Sequence, residues 1–562
     1  MARTTLEKIF DCIDSSNSFI LDAGAGSGKT WSLVESIKYV TQKQEDKLQE
    51  NNQKIVCITY TNVAKNEIIE RIENNELVIV NTIHDFLWSC ISQFKTELKL
   101  ALLKLIDTKI IKLNHKLEKA KSKTTKTYLE NLAKKEKLDD TKNQLIATSN
   151  ETQYKSYVSY KNNIVSHDEI IELAKKIFTL YPMIKKLISD MYPIIFVDEY
   201  QDTFPDVINI LLDELYPTNK ILFGFYGDKM QKIYDKGIGE ISSSYGLRNI
   251  TKSENYRCSV SVVDLLNKIR DDIQQIPSGK NQEVTGSCSF YQSSRANFDI
   301  NNFIESELST PFNLANDLEN LKVLYLTHRL ISKESHYEEL YEIVNRFGKE
   351  DSLTKKDLDR CPFIKFSYQI EEILSLYQNN NIQSLLKTIT YEINTFEDKK
   401  NLQQIFNDLI AKRDTDSIED IIEYVIENRL LQKTTKMSDF DLEDEKNKEY
   451  YDLLMKVDYN LIAKANIVAD KKTPYSTKHG TKGSEFENVL VVIDDTAWRN
   501  YNFDKYFSND TSNESVYNRT RNLFYVVCSR AENNLVILSL SDVSTTSNNK
   551  IIDFFGAIRN AD

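Results

Sequence analysis

Nowhere does this 562-residue chain hold eighteen consecutive apolar residues, so it offers no helix able to cross a membrane. Its first residues, Met1-Ala2-Arg3-Thr4-Thr5, lack the apolar core of a signal peptide. The seven cysteines are scattered and form no C-x-x-C pair, which argues against a zinc site and for reduced, buried thiols in a cytoplasmic protein. There is no long Pro-, Gly- or Ser-rich linker and no internal repeat, so any lobes grow from the cores rather than hang between them. Net positive charge is missing too. The formal charge is −12, and any affinity for nucleic acid has to come from local patches.

What remains is the composition of a soluble globular protein, 41% hydrophobic and 28% charged, long enough for more than one core. Charge is uneven. Between Ser92 and Lys142 there are fourteen lysines against seven acidic residues, whereas Ser438–Glu449 (SDFDLEDEKNKE) is acidic. A lysine-rich helix is either a solvated face or a contact for a polyanion.

Short apolar, β-branched runs recur at Phe19–Leu21, Ile55–Thr59, Leu77–Val80, Ile194–Val197 and Ile221–Gly224, separated by helical periodicity. That alternation predicts a parallel α/β sheet. A second set, Leu321–Leu326, Val489–Ile493 and Leu535–Leu538, predicts another. From about Ser89 to Tyr192 no strand is expected, and Leu98, Leu102, Ile106, Leu113 and Leu117 are spaced as in a helix. A second helical stretch runs from about Ile331 to Lys464. It includes Ile370–Leu386 and a helix capped by Ser417 with Ile418, Ile421, Ile422 and Val425 as its apolar stripe. The expected organisation is a first core over 1–88 and 193–285, interrupted by a lysine-rich insertion over 89–192. A second core follows over 286–330 and 465–562, interrupted by a helical insertion over 331–464.

The chemistry begins at Ala23-Gly24-Ala25-Gly26-Ser27-Gly28-Lys29-Thr30. It follows an apolar run and opens an amphipathic segment, Trp31–Val40, which is the strand–loop–helix setting of a phosphate-binding loop. Glycines let the backbone turn its N–H groups towards an anion, and the helix N-terminus adds partial positive charge. Lys29 can reach terminal phosphates and the Thr30 hydroxyl can ligate Mg²⁺. The strand Ile194–Val197 then ends in Asp198-Glu199-Tyr200-Gln201-Asp202. Carboxylates at that edge suit a Mg²⁺ ligand, Asp198, and a residue that polarises the attacking water, Glu199. A third strand ends in Gly227-Asp228-Lys229-Met230-Gln231, where Gln231 can sense the γ-phosphate. Arg257 and Arg530 are candidate partners for charge developing on the phosphates, because a guanidinium is planar, permanently charged and bidentate.

The segments AGAGSGKT, ITYTNVAKNEIIERI, NTIHDF, FVDEYQDT, GDKMQKIY, ENYRCS, STKHGTKGSEF and NLFYVVCSRA occur in that order from Ala23 to Ala531. The series resembles the motif set of the UvrD/Rep-type superfamily 1 DNA helicases over nearly the whole length. The resemblance implies two RecA-like parallel-sheet cores, ATP and Mg²⁺ as cofactors, and single-stranded or tailed DNA as partner, travelled 3′ to 5′. It implies that Thr59, Tyr60, Thr61 and Asn62, then Thr82 and His84, and also Tyr234 and His479, contact DNA. Gln231 would couple ATP to DNA, Arg257 and Arg530 would meet the γ-phosphate, and Gly483 and Glu485 would meet both ligands.

The sequence departs from that family in two motifs, and its second-core insertion is short for a processive helicase of the group. No glutamine stands between Leu6 and Phe19 to read adenine, and Asp235-Lys236-Gly237-Ile238 replaces an aromatic-Arg-Gly-Ala run that stacks on DNA. ATP hydrolysis is therefore expected more firmly than strand separation. The motif wording is also similar to helicase-like subunits of bacterial antiphage systems that work beside an OLD-type nuclease. About thirty residues follow Arg530, so such a nuclease is expected on a separate chain.

Overall fold

A computed structural model describes residues 3–561 apart from 121, 148–150, 156–157, 233–236, 294–297, 311, 313–319, 327, 356, 471–474, 477–484 and 496–500. The chain divides into two compact units, residues 1–283 and 284–562. Each carries a six-stranded sheet whose strands all run parallel.

In the first unit the strand order is Val78–Thr82, Ile55–Thr59, Ile194–Asp198, Leu222–Gly227, Phe19–Ala23, Arg248–Lys252. Alternate residues of the central strands face opposite ways, and both faces are covered. Ile20, Val56, Ile58, Ile195, Val197, Phe223 and Phe225 pack on one side with the helix Ile83–Ile91 and with insertion residues such as Leu102, Ile106, Leu173 and Ile177. Phe19, Leu21, Ile55, Cys57, Ile194, Phe196 and Tyr226 pack on the other side with the helices Thr5–Asp14 and Lys29–Glu50. Burial on both faces is why these strands read as continuous apolar runs rather than as alternating ones. The edge strand Arg248–Lys252 is different: only Ile250 and Lys252 are buried, so its sequence carries no apolar run and it escaped the sequence reading.

The insertion is helical as expected, with Lys95–Glu118, Lys126–Ala147, His167–Leu180 and Pro182–Met191. It also holds a pair of two-residue strands, Gln153–Tyr154 and Ile164–Val165. Part of its lysine surplus is spent internally, in ion pairs of Lys109 with Glu169 at 2.9 Å, Lys135 with Asp139 at 2.9 Å, Lys142 with Asp107 at 2.5 Å, and Lys95 with Glu151.

In the second unit the order is Tyr475–Ser476, Leu321–Tyr325, Phe486–Ile493, Ala531–Ser539, Ser287–Gln292, Ile558–Asn560. One face of this sheet (Tyr291, Leu321, Val323, Tyr325, Leu490, Val492, Val536, Leu538) shares a continuous core with helices between His328 and Ala469. The helix Ile418–Glu427 has Ser417 as its N-cap, accepting from the Asp420 amide, and buries Ile418, Ile421, Ile422 and Val425 as the spacing predicts. The expected run Ile370–Leu386 is not one helix. It breaks between Pro362–Gln378 and Ile382–Thr388, where Asn380 takes a left-handed backbone (φ +55) that no continuing helix allows.

Candidate nucleotide site and DNA edge

Because the first sheet is parallel, every loop that follows a strand emerges at the same edge. That edge gathers the phosphate loop after Phe19–Ala23, Asp198 and Glu199 after their strand, Gln231 after Leu222–Gly227, and Arg257 beyond Arg248–Lys252. On the far strands it also carries Tyr60, Thr61 and Asn62 after Ile55–Thr59, and Thr82 and His84 after Val78.

The phosphate loop is built by its neighbours as much as by its own glycines. Gly26 and Gly28 have φ of +72 and +74, a backbone L side chains rarely adopt. Gly28 is the N-cap of Lys29–Glu50 and supplies no side-chain acceptor to the first-turn amides. The helices beginning at Thr5, Asn62 and Ile83 are instead capped by the hydroxyls of Thr4, Thr61 and Thr82. An uncapped first turn is what an anion site needs. The carbonyls of the loop are tied outward: that of Ala25 accepts from Asn255 Nδ2 at 3.1 Å and Gln275 Nε2 at 2.8 Å. That of Gly26 accepts from the Tyr256 amide at 2.9 Å. A Cβ on Gly26 would lie 2.6 Å from Asn255 Oδ1 and 2.7 Å from Arg257 Cβ, so the loop admits no side chain there. Ser27 Oγ is buried and finds no hydrogen-bond partner among the described residues. The residues fit a bound phosphate.

Lys29, 9% exposed at its side chain, places Nζ 3.2 Å from Glu199 Oε2. Glu199 sits in a left-handed conformation, φ +50 and ψ +46, which ends the strand abruptly and turns the carboxylate aside. A glutamate held there carries strain, the kind retained at functional sites. Gln201 Nε2 donates to the same Glu199 oxygen, and its Oε1 accepts from the Asp228 amide at 3.1 Å. Asp198 is 5% exposed, and its carboxylate and the Thr30 hydroxyl are oxygen donors of the kind that suit Mg²⁺.

Asp228 is the hub beyond. Its carboxylate accepts from Gln231 Nε2 at 2.9 Å and from the Met230 amide at 3.1 Å. It also accepts from both terminal nitrogens of Arg270, at 3.3 and 3.4 Å. The Arg270 side chain is fully buried, and its Nε donates to Asp272 at 2.8 Å. Burial raises the Asp272 carboxyl, but the Arg270 hydrogen bonds outweigh that and hold its pKa below the usual value. Asp22, just before the loop, is pushed up by burial although Tyr200 donates to it at 2.7 Å. Asn255 Oδ1 takes the Arg257 amide at 2.9 Å, which joins Arg257 to the phosphate loop through one side chain.

Sequence reasoning missed Asn255, Arg270 and Gln275. The contacts that tie them to this edge are long-range: the partners of Asn255 and Gln275 at Ala25 lie 230 and 250 residues away, and Asp228 lies 42 residues from Arg270.

Of the DNA-edge residues, Tyr60 is half-buried and burial raises its phenol pKa. Asn62 is exposed at the first position of its helix. The hydroxyls of Thr61 and Thr82 are engaged as helix caps, Thr82 also donating to Asp85 at 2.8 Å. His84 lies against His167 of the insertion, ring centroids 4.7 Å apart. In the second unit Arg530 is buried, with Nε donating to the Val526 carbonyl at 3.1 Å, and Glu485 is exposed before the strand Phe486–Ile493. Tyr234, His479 and Gly483 lie outside the described residues.

A known family and several known proteins resemble this chain. Residues 6–236 match the UvrD/REP helicase N-terminal domain. The Gabija protein GajB of Bacillus cereus (strain HuB5-5) is 30% identical, over 99% of this chain and 97% of that protein. A second GajB, from Bacillus cereus (strain VD045), is 22% identical over 94% of each chain. The ATP-dependent DNA helicase Rep of Buchnera aphidicola subsp. Schizaphis graminum (strain Sg) is 26% identical over 44% of this chain and 41% of its own.

Proposed function

This chain belongs to the UvrD/Rep helicase family, and on that premise we propose that it is an ATP-driven translocase on single-stranded DNA, moving 3′ to 5′. The observation that carries the reading is the assembly of Lys29, Glu199, Gln231 and Arg257 at one sheet edge around a loop shaped for phosphate. In this mechanism the loop amides and Lys29 hold the β- and γ-phosphates of ATP. Thr30 and Asp198 would hold Mg²⁺, which when bound would neutralise phosphate charge. Glu199 orients the attacking water and takes its proton. The negative charge that develops on the phosphate oxygens is met by Lys29 and Arg257. Gln231, fixed by Asp228, reports the state of the γ-phosphate to the DNA edge at Tyr60–Asn62 and Thr82–His84. By the resemblance, Gly483 and Glu485 are assigned to ATP and DNA, and Tyr234 and His479 to DNA.

The near full-length likeness to GajB supports a biological setting for this motor: an antiviral defence complex in which it senses DNA and a separate OLD-type nuclease cuts. ATP turnover by the purified chain, measured with and without single-stranded DNA, tests the reading. Stimulation by DNA is expected, with displacement of a 3′-tailed but not a 5′-tailed duplex if the isolated chain unwinds. Stimulated turnover without displacement, together with co-purification of a nuclease, places the chain as the sensor. Turnover indifferent to DNA overturns both.

A further inference from the structure

Lys252 closes the edge strand Arg248–Lys252 in register with Ala23, the last strand residue before the phosphate loop. Only 3% of it is exposed. Its Nζ donates to Ser32 Oγ at 2.7 Å and lies 5.1 Å from the Trp31 ring centre and 5.9 Å from that of Tyr256. A Cβ built on Gly28 would stand 3.8 Å from it. Among the described residues no carboxylate comes within ion-pair distance of this ammonium, and burial lowers its pKa.

Glu254 offsets part of that from beyond ion-pair distance, but a buried ammonium with no direct ion pair is costly, and two aromatic faces return only part of its hydration. An ammonium has three N–H donors, and one hydroxyl cannot use them all. Ser27 Oγ, in the adjoining phosphate loop, is buried with no hydrogen-bond partner among the described residues. The carbonyls of that loop are tied outward, and a phosphate bound there would accept from both groups.

The two lysines of this region come from opposite flanks of the central strand Phe19–Ala23. Lys29 points to Glu199, whose strand lies on the Leu222–Gly227 side, whereas Lys252 lies on the other side, against the first turn of the following helix. We propose that Lys252 is a second phosphate-binding cation of the nucleotide site, meeting the α-phosphate while Lys29 serves the terminal phosphates. This rests on the ATP reading above.

Binding of ADP, AMP and adenosine to the full chain, with steady-state ATP turnover, tests it. Lys252→Met is expected to weaken ADP and AMP about tenfold and leave adenosine unchanged. It should raise KM for ATP by a similar factor with kcat within about twofold, and Lys252→Arg should restore most of the loss. Lys252→Gln, which keeps a polar end for Ser32, serves if methionine costs the fold. A folded variant with unchanged ADP and AMP affinity, or an equal loss for adenosine, overturns the assignment and leaves Lys252 as a packing residue. In that case Lys29→Ala still abolishes ATP binding if the ATP reading stands. Wild-type protein that binds neither ADP nor ATP overturns both.

Discussion

The Lys29 ammonium and the Glu199 carboxylate stand 3.2 Å apart across the carboxyl edge of the first sheet, from positions 170 residues apart in sequence. The pair joins the residue proposed to hold phosphate to the residue proposed to activate water. On the proposed reading, phosphate entering the loop would compete with Glu199 for the same ammonium, so nucleotide binding and release of the base would become one event.

Glu199→Gln therefore separates binding from chemistry. ATP hydrolysis is expected to fall by about 10²–10⁴-fold, the usual loss for a general base, while ATP affinity is kept. Lys29→Ala should lose affinity itself. Single-turnover hydrolysis and nucleotide binding, measured on both variants, check this; normal turnover in Glu199→Gln sinks the assignment.

Arg270 is a positioning residue for Gln231, acting through Asp228. Arg270→Met leaves two carboxylates, Asp228 and Asp272, without their buried partner. Breaking such a pair costs about 3–5 kcal/mol, read in urea unfolding. Adding Asp228→Asn should recover part of that. Arg270→Lys, if it folds, should keep basal ATP turnover and reduce its stimulation by DNA, a change that loss of stability alone does not produce.

The insertion carries a pH-dependent fastening. Burial raises the Glu169 carboxyl, but hydrogen bonds from Ser166, Lys109 and Tyr160 outweigh it and hold the pKa at about 2, against an ordinary 4.5. A carboxyl depressed in the folded state adds stability that is fully present above the unfolded pKa. That stability is lost as pH falls from about 4.5 towards about 2. Glu169→Gln should cost on the order of 2 kcal/mol at pH 7 and flatten that acid limb. Urea midpoints at pH 7 and in the acid window measure both, and an unchanged acid limb removes Glu169 from this role.

Much of the first core was legible because its strands are buried on both faces and must be apolar throughout, as Ile194–Val197 and Ile55–Thr59 are. The cap at Ser417 was legible because its partner Asp420 is three residues away. Arg248–Lys252 was not, because an edge strand covered on one side has no apolar run. Ser287–Gln292, although it lies between two strands, was missed because it has Ser, Cys and Gln where the central strands have Ile and Val.

The sequence by itself determined the family and raised the expectation of a nucleotide, since a phosphate loop and a carboxylate-ended strand are local patterns, each specified within a few residues. Only the tertiary structure decided what holds that loop open. The carbonyls of Ala25 and Gly26 are tied by Asn255, Gln275 and Tyr256, Gln231 is fixed through Asp228 by Arg270, and Lys252 is buried beside Gly28. Hydrogen bonds between side chains brought together by a parallel sheet depend on strand order, and strand order is a property of the folded chain rather than of any window of its sequence.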